Sequence, residues 1–295
     1  MNDTANRIAL IGLGEVGSTL ATDLLRAGPR DIVVWDRLLP VADSIPGRHL
    51  AKLSGLSAAT RLHDALAGAD VVISAVTAGE CVAAAREAAA SLQPGAYYFD
   101  LNSVSPGTRE QACRQVEHAG GRFVESAIMS PIAPKRIASP MLLGGPHARG
   151  FQTLATRLGF TGARVFSDAV GEASAAKMCR SIMIKGLEAL LGESLLTARH
   201  YGVEQTVLES LIDLFPGIDW RRTARYMVSR SLLHGKRRAE EMREAAKTAQ
   251  EAGLTPWMSR ACVERQAWAA GHAGALRHDG LEDMLDALLE EMETA

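Results

Sequence analysis

Ile8-Ala9-Leu10-Ile11-Gly12-Leu13-Gly14-Glu15-Val16-Gly17 decides the fold. Four apolar residues run into Gly-x-Gly-x-x-Gly. The segment Val16 to Ala27 then places apolar residues at helical spacing, at Val16, Leu20, Leu24 and Ala27. A strand, a glycine turn and a helix in this order build an anion site for a dinucleotide pyrophosphate. Gly12 permits the tight turn, Gly14 lets the backbone approach the phosphates, and Gly17 lets helix and strand pack closely. The helix points its unpaired N–H groups and positive dipole end at the ligand. The predicted cofactor contacts here are Gly12, Leu13, Gly14, Glu15, Val16 and Gly17. A second strand, Ile32 to Trp35, ends in Asp36, roughly 20 residues beyond the glycines as the motif expects. A carboxylate there can accept both ribose hydroxyls of an adenosine and repels a 2′-phosphate, which favours NAD over NADP. Its neighbour Arg37 suits a phosphate and leaves NADP open. The plainer alternative for Asp36 is a loop aspartate capping a turn.

The chain has 295 residues and a net charge of −2. That length accommodates two domains and a large core. The charge gives no reason to expect nucleic acid or an anionic membrane as partner. Met1-Asn2-Asp3-Thr4 carries no basic region leading into an apolar run, so no secretion signal is expected. No apolar segment is long enough to span a bilayer. Cys81, Cys113, Cys179 and Cys262 are far apart and form neither a Cys-x-x-Cys pair nor a zinc set. Free thiols in a cytoplasmic protein without a metal are the expectation.

Up to about residue 166, strand and helix signals alternate, which predicts a parallel sheet covered on both faces. After Asp36, a segment with Pro40, Pro46 and Gly47 leads to a weak strand near Leu56. Val71 to Val76 is a continuous apolar run, the pattern of a strand buried on both faces. Cys81 to Leu92 reads as a helix, Tyr97 to Phe99 as a strand, and Ser105-Pro106 as a helix cap with proline at the first position. Arg122 to Glu125, Met141 to Leu143 and Arg164 to Phe166 are short strands. The first two flank a loop containing Pro131, Pro134 and Pro140. From Gly171 onward helical periodicity dominates. Glu172 to His200 reads as one helix of about 45 Å at 1.5 Å per residue. Tyr201-Gly202 and Phe215-Pro216-Gly217 break the pattern, and Ala239 to Ala252, Met258 to Ala270 and Leu281 to Glu291 are further helices. The expected class is α/β: a Rossmann-type parallel sheet in a dinucleotide-binding domain over 1–167, then a long helix opening an all-α domain over 168–295.

Gly171-Glu172-Ala173-Ser174-Ala175-Ala176-Lys177 places a lysine early in that helix among alanines. Burial and the positive dipole end both disfavour an ammonium and lower its pKa toward that of a working general base. Ser181 follows four residues on, hence on the same face. The plainer alternative is a surface lysine on an amphipathic helix. Cys179 points about 200° away from Lys177 by helix geometry and reads as core.

Here the chain resembles the β-hydroxyacid dehydrogenases, the superfamily of 3-hydroxyisobutyrate and 6-phosphogluconate dehydrogenases. Four segments carry the resemblance: Ile11 to Gly17; Asp100-Leu101-Asn102-Ser103-Val104-Ser105-Pro106; Glu125-Ser126-Ala127-Ile128-Met129-Ser130-Pro131 with Gly144-Gly145; and Gly171 through Ser181. The resemblance implies that Lys177 is the catalytic lysine and that Asn102 and Ser103 border nicotinamide and substrate. It further implies that Met129 and Ser130 lie on the substrate loop, with Ser181 nearby, and that the helical domain makes a homodimer. The chain also departs from the family. The usual Ser-Gly-Gly of the substrate loop is Met129-Ser130-Pro131 here, and Pro131 offers no N–H to a carboxylate. Ser181 replaces an asparagine. Met129 and Ile132 suggest a larger or more apolar substrate. Lys135-Arg136 read either as replacements for the missing donors or as an exposed loop pair. The end of the chain resembles a 6-phosphogluconate-dehydrogenase-like helical domain of bacterial oxidoreductases.

The expected activity is an NAD(P)-dependent oxidoreductase acting on a β-hydroxy acid or related alcohol. The dinucleotide lies across the strand ends, with Val76 and Thr77 bordering it. The alternatives are an imine reductase using NADPH and a non-catalytic NAD(H)-binding protein. His234-Gly235-Lys236-Arg237-Arg238 reads either as an anion contact or as a solvated, salt-bridged helix start.

Overall fold

The computed structural model describes residues 7–28, 31–41 and 43–293; the opening tetrad inspected for a leader lies outside them. Eight strands are present among the described residues: β1 (Arg7–Ile11), β2 (Asp31–Trp35), β3 (Ser57–Ala58), β4 (Val71–Ser74), β5 (Tyr97–Asp100), β6 (Arg122–Ile128), β7 (Met141–Gly144) and β8 (Ala163–Ser167). They form one sheet in the order β3-β2-β1-β4-β5-β6-β7-β8. Helices of the same unit are α1 (Glu15–Arg26), α2 (Ile45–Leu50), α3 (Leu62–Leu66), α4 (Cys81–Ala89), α5 (Pro106–His118), α6 (Ile132–Lys135) and α7 (Ala148–Leu158).

Alternation along β1 explains why its whole run is apolar. Ile8 and Leu10 join one core with Val34, Ile73 and the inner faces of α1 and α7. Ala9 and Ile11 join the opposite core with Val72, Tyr98 and the small residues of α4 and α5. Successive strand side chains point to opposite faces, so a strand covered on both sides needs no polar residue. The neighbours of β1 are β2 and β4, and chain order reverses there. The carboxyl ends of these strands therefore open a crevice at a topological switch point.

Two features differ from expectation. β7 pairs antiparallel with β6, because the connection carries only the four-residue α6 and a 3₁₀ turn at Arg136–Ala138, too short for a crossover helix. And β6 continues three residues past Glu125 to Ile128. A charged residue ends an apolar pattern, but Glu125 is fully buried with its carboxylate satisfied, so the strand does not stop there.

The long helix α8 spans Glu172–His200. The chain divides into two compact units within it, residues to Met178 and from Cys179 on. The second unit is helical throughout its described residues: the rest of α8, then α9 (Glu204–Leu214), α10 (Trp220–Glu251), α11 (Trp257–Ala269), a 3₁₀ segment (Ala270–Arg277) and α12 (Leu281–Glu293). Leu191, Leu195, Trp220, Leu232, Met284 and Leu288 form its core. Cys179 is exposed rather than core. The segment around His234 is not a helix start. α10 begins at Trp220, where the Asp219 side chain caps Arg222 N–H at 3.0 Å. Arg238 is buried and paired with Glu188. Gly235, an apparent breaker, is a close-packing point. A Cβ there would sit 2.5 Å from Gln266 O and 2.7 Å from Ala270 N.

Helix propensity alone favours Gly235→Ala by about 1 kcal/mol. The clash meets backbone that cannot swing aside, and overpacking of this kind costs about 1–3 kcal/mol. The variant is expected to be less stable, measured as a lower urea midpoint by circular dichroism. A midpoint equal to or above the parent's would refute the close approach of α10 and α11.

Candidate active site

The turn after β1 is held from three sides. Gly12 has φ +95°, and a Cβ on it would lie 2.4 Å from Ala75 O at the end of β4. A Cβ on Gly17 would lie 2.0 Å from Gly12 O. Gly14 differs, since nothing lies within 4 Å of the place its Cβ would occupy. Two glycines are thus required by the protein's own backbone, and the third keeps open the space in front of the α1 N-terminus. Asp36 accepts Leu13 N–H on one carboxylate oxygen and Leu38 N–H on the other, both at 2.9 Å. It therefore caps the turn, as the plainer reading held, while standing at the end of β2 where a ribose would lie. A carboxylate offers about four lone-pair sites, so these two bonds leave acceptor capacity for hydroxyls. Arg37 pairs with Glu80 at 2.8 Å. Leu13 is buried and Val16 half-buried, whereas Glu15 is exposed.

The ends of β4 and β5 are tied to each other by Asn102. Its Oδ1 accepts Val76 N–H at 2.7 Å, its Nδ2 donates to Ser74 Oγ at 3.0 Å, and the residue is 2% exposed. Asn102 is thus a brace that shapes the loop, its amide oxygen and nitrogen each holding one bond within the protein. Ser103, beside it, has a buried Oγ without a hydrogen-bond partner. An orphaned hydroxyl at this place suits a polar group of cofactor or substrate. Val76 is half-buried and Thr77 exposed at the same edge. The open cradle over Gly14, the strand-end carboxylate of Asp36 and the orphaned Ser103 Oγ fit a dinucleotide.

Lys177 lies in the second turn of α8 and is half-buried. The start of that helix is capped from β6, because Glu125 accepts Gly171 N–H at 2.7 Å and Ser174 N–H at 2.6 Å. Gly144 makes room for this carboxylate, since a Cβ there would meet Glu125 Oε2 at 2.6 Å. Met129 packs against the small cluster of Ala127, Leu142 and Ala173, as does Ala176 of α8, next to Lys177 in sequence. Ser130 Oγ donates to Pro131 O at 3.2 Å. Ser181 belongs to the second unit, is buried, and accepts from Lys185 Nζ at 3.0 Å. Lys185 also pairs with Glu241 at 2.9 Å, and burial lowers its pKa against the pull of that carboxylate.

Of the Lys135-Arg136 pair, Arg136 is engaged within the protein. Its Nε grips Asp23 of α1 at 2.8 Å, and the Asp23 carboxylate also accepts Ile137 N–H at 3.1 Å. Ile132 is buried in the sheet core and faces no ligand. Sequence reasoning also missed the most heavily bonded side chain of the unit, Arg109. It is fully buried, 2.6 Å from the Asp100 carboxylate and 3.1 Å from Ser174 Oγ. Burial opposes its charge, but Asp100 and Glu125 outweigh that and hold its pKa above the ordinary value. Nothing in local sequence marks a helical arginine as buried; its partners are up to 65 residues away.

Residues 7–171 match the model of the NAD binding domain of 6-phosphogluconate dehydrogenase. The chain belongs to the β-hydroxyacid dehydrogenase superfamily. Residues 198–269 match a domain of unknown function, DUF1932. A conserved hypothetical protein from Sinorhizobium meliloti is 35% identical, with TM-score 0.74 over 97% of this chain and 96% of that one. Two Pseudomonas aeruginosa proteins are more distant. An NAD-dependent L-serine dehydrogenase is 24% identical over 219 residues, covering 72% of this chain and 71% of its own length. A 3-hydroxyisobutyrate dehydrogenase is 26% identical over 223 residues, with the same coverage of 72% and 71%. As a β-hydroxyacid dehydrogenase the protein is an NAD(P)-dependent oxidoreductase acting on CH–OH. Its cofactor is NAD, with NADP possible. Among the described residues no group of His, Cys, Asp or Glu is arranged to hold a metal, and no helix is long and apolar enough to cross a membrane.

The two kinds of glycine separate by experiment. Gly14→Ala meets no protein atom, so its thermal midpoint stays near the parent's while NADH binding weakens by tenfold or more, an estimate equivalent to ~1.4 kcal/mol. Gly17→Ala collides with Gly12 O and lowers the midpoint itself. NADH fluorescence titration and thermal melts check both. Equal behaviour of the two variants would refute the assignment of the Gly14 space to the ligand.

Proposed function

We propose that this dehydrogenase oxidises a β-hydroxy acid, or reduces the matching carbonyl compound, with Lys177 as general acid and base. The observation that carries the proposal is the placement of Lys177 on a helix whose first turn is held by Glu125 and, through Arg109, tied to the carbonyl of Asn102, next to Ser103. Bound NAD(P) supplies the hydride acceptor. Lys177 takes the proton of the substrate hydroxyl in oxidation and returns it in reduction, the task of a positioned acid–base group. Ser103 offers its unpartnered Oγ to the substrate or the nicotinamide amide. Gly12 to Gly17 hold the pyrophosphate, Asp36 the adenosine ribose, and Val76 and Thr77 line the way to the nicotinamide. Ser130 orients the substrate, and Met129 gives the pocket an apolar wall.

The relatives' names point to 3-hydroxy acids, L-serine and 3-hydroxyisobutyrate among them. The altered loop favours a larger or more apolar member of that class. The four cysteines are all free, in keeping with a reducing, cytoplasmic compartment. Large apolar side chains stand exposed on the second unit, including Met183, Leu190, Tyr226 and Leu233. They support a homodimer built through that unit, which light scattering would report as twice the chain mass.

The decisive experiment is NAD⁺ reduction against a panel of 3-hydroxy acids, including L-serine, 3-hydroxyisobutyrate, aromatic and sugar acids, with Lys177→Ala alongside. The variant is expected to bind NAD normally and to lose at least about 10²–10⁴-fold in turnover. Near-normal rates in the variant would remove Lys177 from the mechanism. Tight NADH binding with no turnover on any acid would instead mark a binding protein, and reduction of cyclic imines with NADPH an imine reductase.

A further inference from the structure

We infer that Arg109 is the positioning residue of the reaction, holding the lysine-bearing helix and the nicotinamide-side loop in one fixed geometry. The inference rests on the proposed role of Lys177. A guanidinium has five N–H donors in a rigid plane, and here all five have acceptors. Nε donates to Ser174 Oγ at 3.1 Å. Nη1 donates to the Asp100 carboxylate at 2.6 Å and to Asp100 O at 3.3 Å. Nη2 donates to Asn102 O and to Ser126 O, the latter at 3.4 Å. These acceptors come from the end of β5 and the loop after it, from β6, and from the first turn of α8. They are the three segments that carry Asn102 and Ser103, lead into the Met129–Ser130 loop, and carry Lys177.

Two further observations tie the group to chemistry rather than to stability alone. Lys177 is three residues beyond Ser174, so it stands on the same face of α8, one turn along. Asn102 receives Arg109 on its carbonyl while its amide side chain braces Val76 N–H. One planar cation thereby sets the spacing between the base and the loop bearing the orphaned Ser103 Oγ. Displacements near 1 Å at such a distance from the reacting atoms cost on the order of 10²-fold in rate. The glycine turn that holds the pyrophosphate is bonded to none of these acceptors, so cofactor affinity is a separate property.

Arg109→Lys keeps the charge and loses the planar fork. With 3-hydroxyisobutyrate and L-serine as probes, kcat is expected to fall on the order of 10²-fold. KM and the NADH dissociation constant should stay within a few-fold of the parent's. The emission of bound NADH should also shift, because the ring's surroundings change. Ser174→Ala removes one of the five bonds, leaves the charge pairing, and should show a smaller loss in kcat of the same kind; it serves if Arg109→Lys does not fold. A folded Arg109→Lys with parental kcat and parental NADH emission overturns the inference, as does a loss confined to KM. A parent that turns over no probe, while Arg109→Lys still shifts the bound NADH emission, defeats the proposed activity and not the positioning role.

Discussion

The structure depends on how three charges are buried at the carboxyl edge of the sheet. Asp100, Glu125 and Arg109 are all essentially inaccessible, and an unpaired charge in such a place is untenable. One guanidinium faces two carboxylates, so the pairing leaves a negative charge over. The start of α8 takes it up, with Gly171 and Ser174 N–H pointing at Glu125 and the positive end of a long helix dipole behind them. The position of α8 is thus an electrostatic consequence of β5 and β6. Removing one partner from a buried group of this kind typically costs ~3–5 kcal/mol, so the helix start is fixed much more firmly than its alanine-rich surface would secure by packing.

The glycine turn obeys a different constraint. At Gly12 and Gly17 the limit is backbone against backbone, Ala75 O and Gly12 O respectively. At Gly14 no protein atom sets a limit, since nothing lies within 4 Å of the place its Cβ would occupy. Asp36 joins the two requirements. By capping Leu13 N–H it stiffens the turn, and from the same carboxylate it presents oxygens at the end of β2. The aspartate's structural and functional readings, which look like rivals in sequence, are compatible in one side chain.

Periodicity made most of the fold legible. β1, the ends of α8 and the serine–proline cap of α5 follow from local rules that act within a few residues. What escaped was set by distant partners. Glu125 reads as the end of a strand until Arg109 and the α8 amides are placed around it. The segment around Gly235 reads as a helix start until α10 is seen to run through it, with Gln266 and Ala270 packed where a side chain would stand. Arg136 looks free for a ligand until Asp23, 113 residues earlier, is found to hold it. Family resemblance pointed to Asn102 as a ligand contact, but not to the two bonds by which its amide ties Val76 to Ser74.

The same accounting bears on substrate recognition. In this loop Met129 N–H is bonded to Pro140 O at 2.9 Å, Pro131 has no N–H, Ser130 Oγ turns to a backbone carbonyl, and Arg136 is latched to α1. A loop with so many of its donors engaged is poorly suited to grip a carboxylate by the backbone cradle that Ser-Gly-Gly provides. What it does present is the Met129 side chain, packed against the cluster of Ala127, Leu142 and Ala173, an adaptable apolar surface near the start of α8. Discrimination by such a wall follows size and hydrophobicity, at about 1–3 kcal/mol per methylene. Under the proposed activity, polar recognition then falls to groups such as the buried, unpartnered Ser103 Oγ, and a substrate with an apolar body and a hydroxyl-bearing end matches that division of labour.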